Sequence, residues 1–250
     1  MIKLGPLFAV LLGLAACGGP RPAALNLPPQ SPALGSGEPT IRVADAALLG
    51  GAPAMALEVA DGILSKNPAD LSALLRKGEA LYLLKRYDES EATLDRVLKI
   101  SPANTAALLG LGRIGLARDP AKAAKLFSEV LASDRRNAVA LNDLGIARDL
   151  LGQHSAAQLA YRTALAITPD MLAARVNLGV SLAVSGHEKE ALEILRPLAN
   201  APDMIPRVRQ DLATTLALAG EDGAARELLA KDLSSAQVSE AMSGVMRLRD

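Results

Sequence analysis

The residue best equipped for chemistry in this 250-residue chain is its one cysteine, Cys17 in "LGLAACGG". A lone thiol excludes an internal disulfide and a thiolate zinc cage, which leaves modification of the sulfur or simple burial. The next candidate is "GLGRIG" at 110–115, with the G-x-G-x-x-G spacing that can present backbone amides to a pyrophosphate. That use needs a strand before the glycines and a turn opening a helix. Here "TAALL" precedes them at helical spacing, so the glycines read as helix interior and no cofactor is expected. His154 and His187 complete the set, each at the turn between two helical stretches. Neither has a second histidine at helical spacing or clustered carboxylates beside it, so no metal site and no acid–base role is expected. Both are placed facing solvent. The chain carries no G-x-S-x-G, Walker glycine loop or H-E-x-x-H, and the reading is that it is not an enzyme and has no small-molecule substrate.

Composition narrows the class further. Lys plus Arg and Asp plus Glu both number 27, so the basic footprint of a nucleic-acid binder is missing. Half the residues are apolar, yet there are only three Tyr, two Phe and no Trp. Ala and Leu therefore fill the core, which favours close-packed helices over strands.

The residues around Cys17 say where such a chain goes. Lys3 precedes an apolar run from Leu4 to Leu14 that is followed by small residues, so residues 1–16 read as a secretory signal. The run is too short to span a bilayer, which takes roughly 20 apolar residues. "LAAC", Leu14 to Cys17, resembles the lipobox of bacterial lipoproteins. The resemblance implies cleavage before Cys17 and acylation of its sulfur and then its amine, with Ala15 and Ala16 small enough for the peptidase. Gly18 stands where an Asp would retain such a protein at the inner membrane, so the resemblance implies the periplasmic face of the outer membrane. Residues 17–40, dense in proline and without apolar periodicity, read as a tether from the lipidated cysteine.

Beyond the tether the chain repeats itself at about 34 residues. Segments beginning at Leu71, Thr105, Ala138, Leu172 and Pro206 align in register. Their eighth residue is always small: Gly78, Gly112, Gly145, Gly179 and Ala213. A second small residue recurs at Ser90, Ala123, Ala157, Ala191 and Ala225, and four residues later a large one: Leu94, Phe127, Tyr161, Leu195 and Leu229. Gly152, Gly186 and Gly220 supply turns, and Pro102 and Pro169 close their repeats. Each unit is a helical hairpin in which the small residues let the helices approach and the large one fills the gap between neighbouring hairpins. A degenerate first unit occupies residues 37–70, with Ala56 and Pro68 in phase. Three glycines inside one short segment, each costing a helix up to about 1 kcal/mol relative to Ala, mark the 105–137 hairpin as locally the weakest. Ser234 and Gln237 stand at capping-box spacing before Val238, Ala241, Met242, Val245 and Met246 on one helical face, so a final helix is expected to cover the end of the array.

This period and these residues resemble the tetratricopeptide repeat. The resemblance implies an all-α, right-handed superhelical solenoid of about six hairpins plus a C-terminal capping helix over residues 41–250. It also implies a partner-binding groove lined by the first helix of each hairpin. Carried onto this sequence, the groove positions are Arg76, Glu79, Tyr82, Arg113, Asn142, Asp143, Asp149, Asn177, Arg207, Gln210 and Asp211. They drift from basic to acid-and-amide along the array, which suits an extended peptide or a partner helix. The same positions are also what solvated helix faces would carry. The carboxylate clamp of chaperone-tail readers is not reproduced. The last two repeats, with "PRVRQ" and "LALAG", further resemble the tight-adherence (Flp) pilus assembly lipoproteins of the TadD family. That likeness implies a lipid-anchored scaffold or pilotin that binds a secretin or other pilus-assembly component. A type IV pilotin, an outer-membrane assembly subunit and an adaptor for a cell-wall hydrolase share the lipobox and repeats and stay open at this point.

Overall fold

The computed structural model describes residues 40–199 and 206–249. The signal segment, Cys17 and the tether up to residue 39 lie outside the described residues. Among the described residues there are thirteen helices and no strand. Three hairpins, α1 (Ile41–Leu49) with α2 (Pro53–Lys66), α3 (Leu71–Leu83) with α4 (Tyr87–Ile100), and α5 (Thr105–Gly115) with α6 (Pro120–Ser133), belong to one compact unit that ends at Arg135. A second unit holds α7 (Ala138–Leu150) with α8 (His154–Ile167), α9 (Leu172–Val184) with α10 (Glu188–Ala199), and α11 (Pro206–Leu218) with α12 (Asp222–Leu229). The expected terminal helix, α13 (Ser235–Arg249), follows. Within each unit, the first helix of a hairpin packs on the first helix of the next, and the second helix packs on that same neighbour. In each unit the first helices thus form one layer and the second helices another.

Local chemistry explains where these helices start and stop. Asp70, Asn104 and Asn137 each stand one residue before a first helix and accept a hydrogen bond from the N–H three residues on, at 2.9, 3.0 and 2.9 Å. Asp119 does the same for α6, with Pro120 in the first turn. Four turns within hairpins reverse through one left-handed glycine: Gly51, Gly152, Gly186 and Gly220 have φ of 74°, 72°, 83° and 82°. The residue after each glycine donates its N–H five residues back, as Gln153 does to the Arg148 carbonyl at 2.8 Å, which closes the helix end. The α3–α4 turn keeps this geometry without glycine: Lys85 has φ 61° and Arg86 donates to the Leu81 carbonyl. The α5–α6 turn is shorter and closes instead through Asp119 N–H to the Gly115 carbonyl at 2.7 Å.

The small and large repeat positions meet. The large side chain lies over the eighth-position glycine of its own hairpin and also shares a buried cluster with the next hairpin, Leu94 with Ala106 and Leu111, Tyr161 with Leu178 and Leu182, and Leu195 with Leu212 and Leu216. A Cβ on Gly112 would lie 2.4 Å from Phe127 Cε1, and one on Gly145 2.4 Å from Tyr161 Cε1. Gly78 and Gly179 stand in the same relation to Leu94 and Leu195, both at 2.6 Å. The helices cross so closely that any β-carbon there would occupy the partner's ring or isobutyl group. Leu94 in addition reaches the next hairpin, where a Cβ on Gly110 would be 2.7 Å from its Cδ1. The glycines that weaken α5 as an isolated helix are thus two of the places where large side chains pack.

At the far end, Gln237 Oε1 accepts from the Ser234 N–H at 3.0 Å, as the capping spacing predicts. Val238 and Met242 are buried against Leu212, Leu216, Ala225 and Leu229, with Ala241 and Val245 partly buried beside them. Met246 departs from expectation and is 37 % exposed, one turn beyond the edge of that cluster.

Three stability measurements follow from this geometry. Gly145→Ala, which improves helix propensity, is expected to destabilise the protein by about 1–3 kcal/mol because its methyl enters the buried Tyr161 ring. Gly223→Ala, with nothing within 4 Å of the added carbon, is expected to stabilise it by about 0.5 kcal/mol. Lys85→Gly removes a left-handed non-glycine residue and is expected to add about 1 kcal/mol, read by denaturant unfolding.

Candidate functional site

The groove positions divide between the two units. In the first, Arg76, Glu79 and Tyr82 lie along α3, and Arg113 lies on α5. Arg76 is 7 % exposed and pairs through Nε with Asp45 of α1, a residue the sequence reading misses. Its Nη1 is buried without a hydrogen-bond partner among the described residues, a donor whose desolvation costs on the order of 1–3 kcal/mol. Glu79, one turn on, is only partly exposed. Burial lifts its carboxyl above the ordinary 4.5; Arg76 and Arg113 pull it back down, and Asp45 pushes it up. Tyr82 is tilted at 60° to Tyr87 with ring centroids 5.6 Å apart. Asp45, Arg76, Glu79 and Arg113 therefore form one electrostatic cluster across α1, α3 and α5.

In the second unit the predicted positions turn inward. Asn142, Asp143 and Asp149 of α7 are all buried, at 5, 5 and 4 % exposure. Asn177 Nδ2 of α9 donates to Asn142 Oδ1 at 2.9 Å, and Asn142 Nδ2 donates to Asp143 Oδ1 at 3.1 Å. Asp149 accepts from the Tyr161 hydroxyl at 2.9 Å and the Ser181 hydroxyl at 2.7 Å, and pairs with His154 Nδ1 at 2.9 Å. One carboxylate thereby ties α7 to α8 and α9. Tyr161 is fully buried; burial first, then the Asp149 charge, hold its hydroxyl protonated far above the ordinary 10.0, so it acts only as a donor. On α11, Asp211 is buried and Gln210 is partly exposed. The Arg207 side chain lies outside the described residues.

His154 is a correction to the sequence reading. It does not face solvent at a bare turn: its side chain is 18 % exposed and sits on Asp149, five residues earlier, a separation that the turn rather than the helix brings together. His187 is exposed as expected, with Nδ1 3.1 Å from Ser185 Oγ. The Ser–Asp–His grouping is not a nucleophile set, because Ser181 is 0 % exposed and donates to Asp149 instead of to the imidazole. A signal for this network exists in the sequence. A tyrosine at the buried large position needs an acceptor for its hydroxyl, and Asp149 precedes it in the same hairpin. "GLGRIG" lies within α5 as read. No cluster of three or more metal-ligating side chains occurs among the described residues, and none of their helices is long and apolar enough to cross a membrane.

The raised carboxyl of Glu79 gives a pH test of the first cluster. A carboxyl that holds its proton more tightly when folded favours folding below its ordinary value, and that contribution is lost as pH rises through the raised one. Glu79→Gln is expected to melt higher than the native protein at neutral pH, with the gap closing as pH falls towards 4.5 in thermal unfolding.

Comparison with known proteins agrees with this architecture. One tetratricopeptide repeat model matches residues 47–114, and a second matches 116–171 and 142–205. PilW, a widely conserved type IV pilus biogenesis factor, superposes with a TM-score of 0.70 at 20 % identity, over 82 % of this chain and 96 % of its own. A thermophilic repeat protein of Thermus thermophilus does so at 0.61 and 22 % identity, over 71 % of this chain and 99 % of its own. An FK506-binding protein-like chain of Rattus norvegicus is 39 % identical over 93 residues, so this chain spans 26 % of that relative's length. An uncharacterised Sinorhizobium fredii protein, y4yS, is 34 % identical over 104 residues, 57 % of its length. From residue 47 to residue 205 the sequence period, the hairpin geometry and the family models coincide: the chain belongs to the tetratricopeptide repeat family.

Proposed function

We propose that this chain is a lipid-anchored scaffold for assembly of a type IV-like pilus of the tight-adherence (Flp) kind. On this reading it stands on the periplasmic face of the outer membrane and docks a secretin or another pilus-assembly protein on its layer of first helices. Tetratricopeptide arrays bind protein partners and are in general non-catalytic, so a binding role needs no chemistry beyond docking. The observation that carries the narrower reading is a conjunction. A "LAAC" lipobox-like segment at Leu14 to Cys17 precedes a repeat array whose fold extends over nearly all of PilW. The TadD-like "PRVRQ" and "LALAG" segments point to the tight-adherence branch, and PilW favours a second reading, a pilotin of a type IV pilus proper.

A lipid anchor suits this task. Two or more acyl chains bind stably at about 0.8 kcal/mol per buried methylene, whereas one alone binds reversibly. Partner contact falls to the groove residues that keep some exposure, Glu79, Tyr82, Arg113, Asn177 and Gln210. The buried Arg76, Asn142, Asp143, Asp149 and Asp211 hold the helices that carry them.

Deleting the gene is expected to abolish secretin multimers and surface Flp pili, with Cys17→Ser releasing the protein from outer-membrane fractions. Wild-type levels of both multimers and pili in the deletion would overturn the proposal, and loss of twitching pili with intact Flp pili would select the type IV pilotin instead.

A further inference from the structure

One position in the layer of first helices breaks the polar pattern of its neighbours. The sixth residue of the repeat is Arg76, Asp143, Asn177 and Asp211 in four of the five aligned repeats, and Gly110 in the other. Gly110 of α5 faces the same side chain as Gly78 of α3: Leu94, which lies within 2.7 Å of the Cβ position of each. With no side chain on either helix there, α3 and α5 leave a pocket of about 40 Å³ floored by Leu94 and walled by Leu75, Leu83 and Ala106. Glu79 and Arg113 are its charged members, and Tyr82 completes the lining. All of these residues belong to one compact unit.

The chemistry of this pocket selects what can fill it. At roughly 10–15 Å³ per water its volume holds about three waters or one branched aliphatic group. Its walls are almost wholly apolar, so water there finds few partners, and an apolar group that displaces it gains. A hydroxyl in the same place would lose its hydrogen bonds. At the charged side, a carboxylate raised by burial stands near a guanidinium. Opposite charges so placed complement a neutral peptide group, whose N–H can be given to Glu79 and whose C=O can accept from Arg113. A net anionic or cationic segment has no such match.

We infer that this pocket anchors one leucine- or isoleucine-sized side chain of an extended partner segment, with Glu79 and Arg113 holding the adjacent peptide group. The inference rests on the layer of first helices being the docking surface, and it adds what that surface recognises. The loss of the sixth-position side chain at Gly110 is then a specificity feature.

The test uses the full mature chain with isotope-labelled leucine methyls, titrated with acetyl-Ala-Ala-X-Ala-Ala-amide, where X is Leu, Ser, Phe or Asp. The Leu probe is expected to shift the Leu94 methyls and the Gly110 and Arg113 amides saturably, and to bind at least ten-fold tighter than the other three. Gly110→Ala should lower that affinity ten-fold or more. Leu83→Phe, which fills the pocket from a half-buried wall and leaves Leu94 in place, should do the same in a chain that melts like the native one. Equal binding of the Leu and Ser probes, or an undiminished affinity in both variants, would overturn the pocket assignment. If the probes shift other residues of α3, α5, α9 or α11 without side-chain preference, the docking surface stands and only the anchor fails. If no probe shifts any of these helices, the docking surface fails with it.

Discussion

Helix separation inside four of the hairpins is set at a single contact, the face of the eighth-position glycine against the large side chain of the returning helix. At Gly145 the vacant Cβ position is 2.4 Å from the Tyr161 ring, closer than any carbon could stand. Much else follows from that approach. It carries Tyr161 into full burial, and a buried phenol must donate. Asp149 receives that bond, and once a carboxylate is buried it in turn needs further donors, which Ser181 and His154 supply. A backbone contact thus generates a polar network that links three helices. Where the large residue is Leu94, no hydroxyl has to be met, and the space above it stays apolar.

The hairpins were legible because their determinants are local and recur. Turn glycines, closing prolines and the small–large spacing each act within one repeat and appear several times in register. What a period cannot convey is direction. The spacing of Ala157 and Tyr161 says that a large residue meets something small, but the same spacing is compatible with a contact inside the hairpin or across to the next. Lys85 shows a related limit. The turn needs a left-handed residue at this point, and the surrounding hairpin holds lysine in that conformation although the residue itself disfavours it. The α5–α6 turn achieves the same reversal one residue sooner, with Asp119 capping α6 in place of a left-handed residue.

The candidate site was legible in position and not in burial. Helical register places Arg76, Asn142 and Asp149 on the layer of first helices, and they are there. Whether each reaches solvent depends on the next hairpin: Asn177 covers Asn142, and Ser181 closes over Asp149. These partners lie more than thirty residues on. Asp45 was invisible for a different reason. Its helix opens the degenerate first unit and carries none of the eighth-position glycines that mark four of the other first helices, so no groove position was assigned on it, yet it holds the Arg76 side chain.

The two units solve the burial of polar groups in opposite ways, and the difference bears on where recognition can occur. In the second unit Asp149, Asn142 and Asn177 are engaged with one another or with neighbouring side chains, so a partner that approached them would have to break internal hydrogen bonds to form its own. In the first unit Arg76 Nη1 is buried without an acceptor among the described residues, and Glu79 carries a carboxyl that burial disfavours as an anion. Of these two, Glu79 keeps some exposure and can gain from a donor that a ligand supplies, whereas Arg76 is buried and holds its helix. An apolar pocket lies beside them on α3 and α5. On the proposed docking reading, selectivity falls to the partly exposed Glu79, Tyr82 and Arg113 of the first unit, while the buried polar groups of the second unit hold its own helices in place.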